Sequence, residues 1–167
     1  MKAIVIYPTE FGTTTHFVVP DSALLRPKDP FFLPDSQQWT AVPLHGVLIN
    51  RLGKSIRQNF ASAYYSQIVT AVHPFNADSS EEHDIATRWA RDGALTVSQP
   101  FPADNLSPQA RLLIDKAVES VSSFATLKTG DLILLARPYK SFTLKNQAAD
   151  YLIPQSDGFP QLNYKVR

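Results

Sequence analysis

The side chains in this sequence best suited to chemistry are four histidines, Arg137 and Tyr7, and no cysteine accompanies them. Without thiols, disulfides, thiolate nucleophiles and zinc–thiolate sites are excluded. His45 and His73 are the pair to consider first. If they converge, two imidazoles would bind Zn²⁺ or Ni²⁺, or one would act as a general base. The competing view is a pair of hydrogen-bonded or surface histidines. That view is favoured, because a catalytic zinc takes three protein ligands. His83 lies beside Glu81, Glu82 and Asp84 at a predicted helix start, where carboxylates complement the helix dipole, and reads as solvated. His16, among Thr13, Thr14 and Thr15, carries no motif. Arg137 presents a planar fork able to clamp a carboxylate or phosphate. An ion pair with Asp131 or Asp150 is its competing use. Tyr7, at the end of the first predicted strand, is a further ligand-binding candidate. Gly93 and Gly130 fit no phosphate-loop spacing, and no serine has a G-x-S-x-G setting.

The acidic residues are informative by where they are missing. No Asp or Glu occurs between Asp35 and Asp78. Asp78, Glu81, Glu82 and Asp84 form the one dense acidic cluster. At a helix start they fan around the axis and cannot all face one ion.

The elements that must position these groups are short and strand-rich. The chain has 167 residues, 44% hydrophobic and 19% charged, enough for one domain with a sizeable core. A net charge of +1 is too balanced for a nucleic-acid or anionic-membrane partner. No apolar run reaches the ~18 residues needed to cross a bilayer. Met1 to Tyr7 is too short for a signal peptide, and the expected location is cytoplasmic. Thirteen prolines against six glycines imply many short elements joined by stiff turns. Strands are predicted at Lys2–Tyr7, His16–Val19, Trp39–Asn50, Tyr64–Phe75, Leu132–Leu135, Ser141–Lys145, Tyr151–Ile153 and Leu162–Val166. Pro43 suggests that the third of these is an edge or carries a bulge. Ser55–Ala63 suits a short helix. Ser79 and Glu82 form a capping-box pattern for a helix to Arg91, with Ile85 and Trp89 on one face. A second helix opens at Ser107-Pro108, with Leu113, Ala117, Val121 and Phe124 as its apolar face. The fold class is strand-rich α+β, a single domain over residues 1–167.

Three stretches carry a family resemblance. Pro20-Asp21-Ser22-Ala23-Leu24-Leu25-Arg26, followed by Pro30-Phe31-Phe32-Leu33-Pro34-Asp35, is similar to a "K-P-D-S-A-L-L" segment and its next strand. Ile49-Asn50-Arg51-Leu52-Gly53-Lys54, continuing through Phe60-Ala61 and Tyr64-Tyr65, is similar to a stretch that links two metal-ligand sites. Leu127-Lys128-Thr129-Gly130-Asp131-Leu132-Ile133 matches "L-K-x-G-D-L-I", which leads into a substrate-facing "T-G-T-P" turn. In their order these blocks resemble the fumarylacetoacetate hydrolase family. The resemblance implies a mixed β-roll with two or three peripheral helices, assembled as a homodimer. It implies hydrolysis, isomerisation or decarboxylation of small diketo and oxo acids with Mg²⁺, or Ca²⁺ or Mn²⁺ in some members.

The residues that the resemblance would place at the metal are not ligands for it. The Glu-x-Glu pair falls at Val42 and Leu44, and the Asp at His73. Shifting the pair by three residues puts it at His45 and Val47, which restores no carboxylate. The "N-Y-x-x-H" segment with its general base is missing after Glu10, and a "G-N-T" loop is absent. The family lysine falls at Val19, the arginine of "A-R-D" at Ala77, and "T-G-T-P" at Leu135-Ala136-Arg137-Pro138. Mg²⁺ and Mn²⁺ want oxygen ligands. The expectation is therefore a non-catalytic relative with no cofactor, binding a small carboxylate or a partner subunit. The alternatives are an active C–C hydrolase, isomerase or decarboxylase with a relocated Mg²⁺ or Mn²⁺, and a purely structural or assembly role.

Overall fold

The computed structural model describes residues 1–8, 12–34, 38–76 and 85–167. Among them a nine-stranded sheet runs in the order β2-β1-β8-β4-β5-β6-β3, with β9 added to β4 and β7 to β5. Its strands are β1 (Lys2–Pro8), β2 (Thr14–Pro20), β3 (Leu24–Leu25), β4 (Thr40–Ile49), β5 (Tyr65–Phe75), β6 (Leu95–Val97), β7 (Phe101–Pro102), β8 (Leu132–Ala136) and β9 (Phe142–Thr143). Two further strands, β10 (Ala149–Ile153) and β11 (Leu162–Val166), pair antiparallel with each other. The helices are α1 (Ile85–Ala90) and α2 (Pro108–Phe124). No described helix is long and apolar enough to cross a membrane. The strand-rich α+β class is as predicted, a curled mixed sheet with helices at its faces.

Side-chain alternation along the strands gives the sheet two apolar faces. Ile4 and Ile6 of β1, Val47 and Ile49 of β4 and Ile133 of β8 face α2, which buries Ala110, Ile114, Ala117, Val118 and Val121 against them. Ala3, Val5, Val42, Leu44, Leu132 and Leu134 face the other way, where Trp89 of α1 covers them. β10 and β11 close one end, where Tyr164 of β11 packs with Phe31 and Trp39.

Several expectations needed correction. Of the two alternatives for Pro43, an edge or a bulge, the edge is not found, since β4 lies between β5 and β8; the strand does carry a register irregularity, at Leu48/Ile49 and not at Pro43. On its β8 side, β4 exchanges partners at Pro43, pairing with β9 at Thr40 and Ala41 and with β8 from Leu44 onward. The proline sits where the ladder changes hands, and its carbonyl still accepts from Arg137 N at 2.9 Å. Helix α2 starts as predicted, with Ser107 Oγ accepting from Ala110 N at 3.2 Å. Its buried stripe is rotated from the expected one, leaving Leu113 and Phe124 exposed. Apolar residues line two adjacent stripes of this helix, and periodicity does not choose between them. Residues 55–63 form no α-helix; a 3₁₀ helix spans Gln58–Tyr64. The capping box at Ser79 and Glu82 lies outside the described residues. Strands β3, β6 and β7, two or three residues long, are too short to show alternation in sequence.

Candidate functional site

The register of β4 against β5 sets Val42 opposite His73 and Leu44 opposite Ala71. These four side chains share one face of the sheet. Val42, Leu44 and His73 are almost wholly buried, beneath Trp89. The His73 ring has both nitrogens engaged. Nδ1 lies 2.7 Å from the Ala94 carbonyl oxygen, and Nε2 lies 2.8 Å from Arg88 Nε. A carbonyl only accepts and a guanidinium only donates. The ring proton therefore sits on Nδ1, and Nε2 is the acceptor. Trp89 stacks on the imidazole with centroids 3.8 Å apart. Phe75 stacks beside it, with the Arg88 guanidinium carbon 3.8 Å from the Phe75 ring centre. Burial, and then the Arg88 charge, hold the His73 pKa well below its ordinary value. Tyr7 joins the same cluster edge-on to Trp89. Burial raises its phenol pKa, and neighbouring Arg88 partly offsets that rise.

This donor set does not fit a divalent ion. Mg²⁺ and Mn²⁺ need several oxygen ligands, chiefly carboxylates. Positions 42 and 44 supply aliphatic carbons, and the one candidate nitrogen of His73 already accepts from a permanent cation. Among the described residues no group of three or more His, Cys, Asp or Glu side chains converges elsewhere to hold a metal. The acidic cluster of Asp78, Glu81, Glu82 and Asp84, together with His83 and Ala77, lies outside the described residues.

His45 and His73 do not converge. His45 pairs in register with Thr70 and faces the side of the sheet opposite His73. Its ring stacks on Phe159, with centroids 4.3 Å apart. Nδ1 accepts from Arg137 Nη1 at 3.0 Å, so the ring proton is on Nε2. Burial and the Arg137 charge lower the His45 pKa to about 3. It is a neutral acceptor at ordinary pH and a poor proton reservoir.

Arg137 follows the last residue of β8, and its second branch donates from Nη2 to Asp157 Oδ2 at 3.1 Å. Neither expected partner is used. Asp131 is buried, pairs with Lys2 Nζ and accepts from the backbone N–H groups of Lys2 and Lys128. Asp150 pairs with Arg167 at 2.7 Å. The partner that sequence reasoning missed, Asp157, belongs to a Ser156-Asp157-Gly158 turn. Asp-Gly is a turn signal, but no spacing connects it to Arg137. The Asp157 carbonyl accepts from Ser107 N at 3.1 Å, which ties the turn to the start of α2. Gly158 has φ +92, and a Cβ there would lie 2.2 Å from Asn105 O, so only glycine closes the turn.

Two cavities meet at the Arg137–His45 pair. One, of about 290 Å³, is lined by Ile6, Leu113, Ile114, Leu135, Tyr139, Asp157 and Phe159 among others. The second, of about 330 Å³, is lined by Lys140, Phe142, Tyr151, Ile153 and Ser156 among others. His16 is at neither cavity; its Nε2 lies 3.3 Å from Ser120 Oγ and its ring edge meets Phe124.

No protein-family model matches the chain, and no curated protein matches its sequence. Solved structures do match its architecture. Fumarylpyruvate hydrolase from Pseudomonas aeruginosa, solved with Mn²⁺ and pyruvate, superposes with a TM-score of 0.79 at 14% identity, over 99% of this chain and 89% of that one. A protein of the fumarylacetoacetate hydrolase family from Yersinia pestis gives 0.79 at 16% identity, over 99% and 92%. A 2-hydroxyhepta-2,4-diene-1,7-dioate isomerase from Mycobacterium marinum gives 0.80 at 18% identity, over 99% and 73%. The chain has the fold of these hydrolases and isomerases.

Proposed function

We propose that this protein has the fumarylacetoacetate hydrolase fold without the metal chemistry, and serves to bind a small anion rather than to turn one over. The carrying observation is the Val42, Leu44, His73 and Arg88 cluster. Where the resemblance places two glutamates and an aspartate, two aliphatic side chains and a neutral histidine are packed beneath Trp89, with a guanidinium 2.8 Å from the histidine. Introducing a divalent cation would set it beside Arg88 with no carboxylate from these positions. A bound metal contributes several kcal/mol to stabilising an enolate-like transition state, and each ~1.4 kcal/mol is a factor of ten in rate. The test is turnover of acylpyruvates and oxaloacetate with added Mg²⁺ or Mn²⁺. No rate above a metal-free control is expected, and metal-dependent turnover would refute the proposal.

The activities of the structural neighbours favour a second reading, a C–C hydrolase or isomerase that holds its ion elsewhere. Stoichiometric Mg²⁺ or Mn²⁺ by elemental analysis of protein purified without chelator would decide for it. We further propose a cytoplasmic homodimer. Light scattering reads the assembly, and a monomeric mass would remove that part.

A further inference from the structure

We infer that the groove around Arg137, on the sheet face opposite His73, is a binding site for a small amphipathic monocarboxylate, and that Asp157 occupies the guanidinium as an internal competitor. This rests on the reading of the protein as an anion binder and gives it a location and a ligand class. The apolar wall of the first cavity is built by Ile6, Leu113, Ile114, Leu135 and Phe159. A void of about 290 Å³ is at the lower end of small-molecule pocket sizes, which suits a small ligand. Its mouth is open to solvent, since Leu113 is 55% and Tyr139 73% exposed. Arg137 lines both cavities, Asp157 supplies the one carboxylate of the first, and Lys140 lines the second. The first cavity thus offers an apolar wall beside the Arg137 guanidinium, with a second cation, Lys140, lining the adjoining cavity.

The Arg137 side chain is positioned rather than loose. Its backbone N–H is bound to Pro43 O at 2.9 Å, one branch is fixed on His45 Nδ1, and its side chain is only 18% exposed. Its other branch meets Asp157, whose side chain is 43% exposed. A guanidinium prefers a planar carboxylate partner, and the protein itself supplies one from a solvent-facing turn. An exposed ion pair of this kind is cheap to break. An incoming carboxylate that also buries an apolar tail gains what Asp157 cannot. The exchange moves no proton, because both carboxylates are ionised at neutral pH and His45 stays neutral.

The experiment is a titration of the full ¹⁵N-labelled chain with phenylacetate, and with phenylacetamide as its uncharged counterpart, read by amide shifts. Phenylacetate is expected to move the amides of Arg137, Ile114 and Phe159 saturably, and phenylacetamide to leave them in place. Asp157→Asn removes the competitor and should tighten phenylacetate binding by about two- to five-fold. Arg137→Gln should weaken it by about ten-fold or more. The gain in the Asp157 variant cannot come from misfolding, so it decides the matter even if Arg137→Gln folds poorly. Equal binding of the amide, no saturable shift in wild type or Asp157→Asn, or an unchanged or weaker affinity in Asp157→Asn would each overturn the inference. Metal-dependent turnover with this titration intact would sink the non-catalytic reading and leave the site standing.

Discussion

At the residue scale the protein keeps its histidines neutral, and that has a sign in pH. In the unfolded chain a histidine titrates near 6.5. In the fold His45 titrates at about 3, and His73 well below its ordinary value. Between about pH 3 and 6.5 the unfolded state therefore binds more protons than the folded one. Stability is full above that window and falls as pH drops through it, by up to ~1.4 kcal/mol per pH unit for each histidine. Urea unfolding at pH 7.5 and 5.0 should show this loss, and His45→Gln should shallow the slope; equal midpoints at the two pH values would contradict it. Asp131 carries a second test. Its buried carboxylate ties the start of β1 to the turn before β8 through Lys2 and Lys128. Asp131→Ala leaves those donors unpaired and should cost ~3 kcal/mol in the same experiment. Little of this pairing was legible from sequence. Arg137 was recognisable as a candidate clamp by its chemistry, but its partner Asp157 is 20 residues away on a turn, and only the fold joins them. Arg88 gave no sequence signal at all; it matters because α1 sets it against β5.

At the element scale, β4 carries the sheet and is intolerant at one point. A Cβ on Gly46 would lie 2.0 Å from Ile133 O of the neighbouring strand. No rotamer relieves a clash with backbone, so Gly46→Ala must force β4 and β8 apart. We expect it to yield little soluble protein, or a chain several kcal/mol less stable by thermal or urea unfolding. Normal yield and an unshifted midpoint would mean that the two strands separate more easily than their packing implies. Helix α2 gives a milder case: Ser107→Ala removes the cap on Ala110 N and should cost ~1 kcal/mol. The long elements were readable because each shows its own period. Lys2–Pro8 and Tyr65–Phe75 lie within a residue of the predicted bounds, and the helix Pro108–Phe124 begins where predicted. Pro43 does not locate the edge, and β4's irregularity lies at Leu48/Ile49, because a proline's tolerance depends on which neighbour needs its missing N–H, a property of pairing and not of the strand itself.

At the scale of the whole molecule, the chain shares its fold with the solved hydrolases and isomerases at 14–18% identity, while positions 42, 44 and 73 carry no carboxylate. That follows from what each requires. The sheet needs alternating apolar residues of about the right size, which many sequences supply. A metal site needs particular atoms at particular positions. Millimolar Mg²⁺ or Mn²⁺ should accordingly leave the thermal midpoint unmoved, whereas an ion bound by the folded state would raise it by mass action. A metal-dependent rise in a thermal melt would contradict that. The pairing of β1 with β8 has its own consequence. Ala3 lies beside Leu132, and Ile6 beside Leu135, in a parallel ladder. During translation the β1–β2 hairpin is made well before β8, the parallel mate of its open edge. That edge of β1 therefore stays unpaired until residues 132–136 have been made. Stalled nascent chains that end before β8 should be cut readily by protease, and those carrying it should resist.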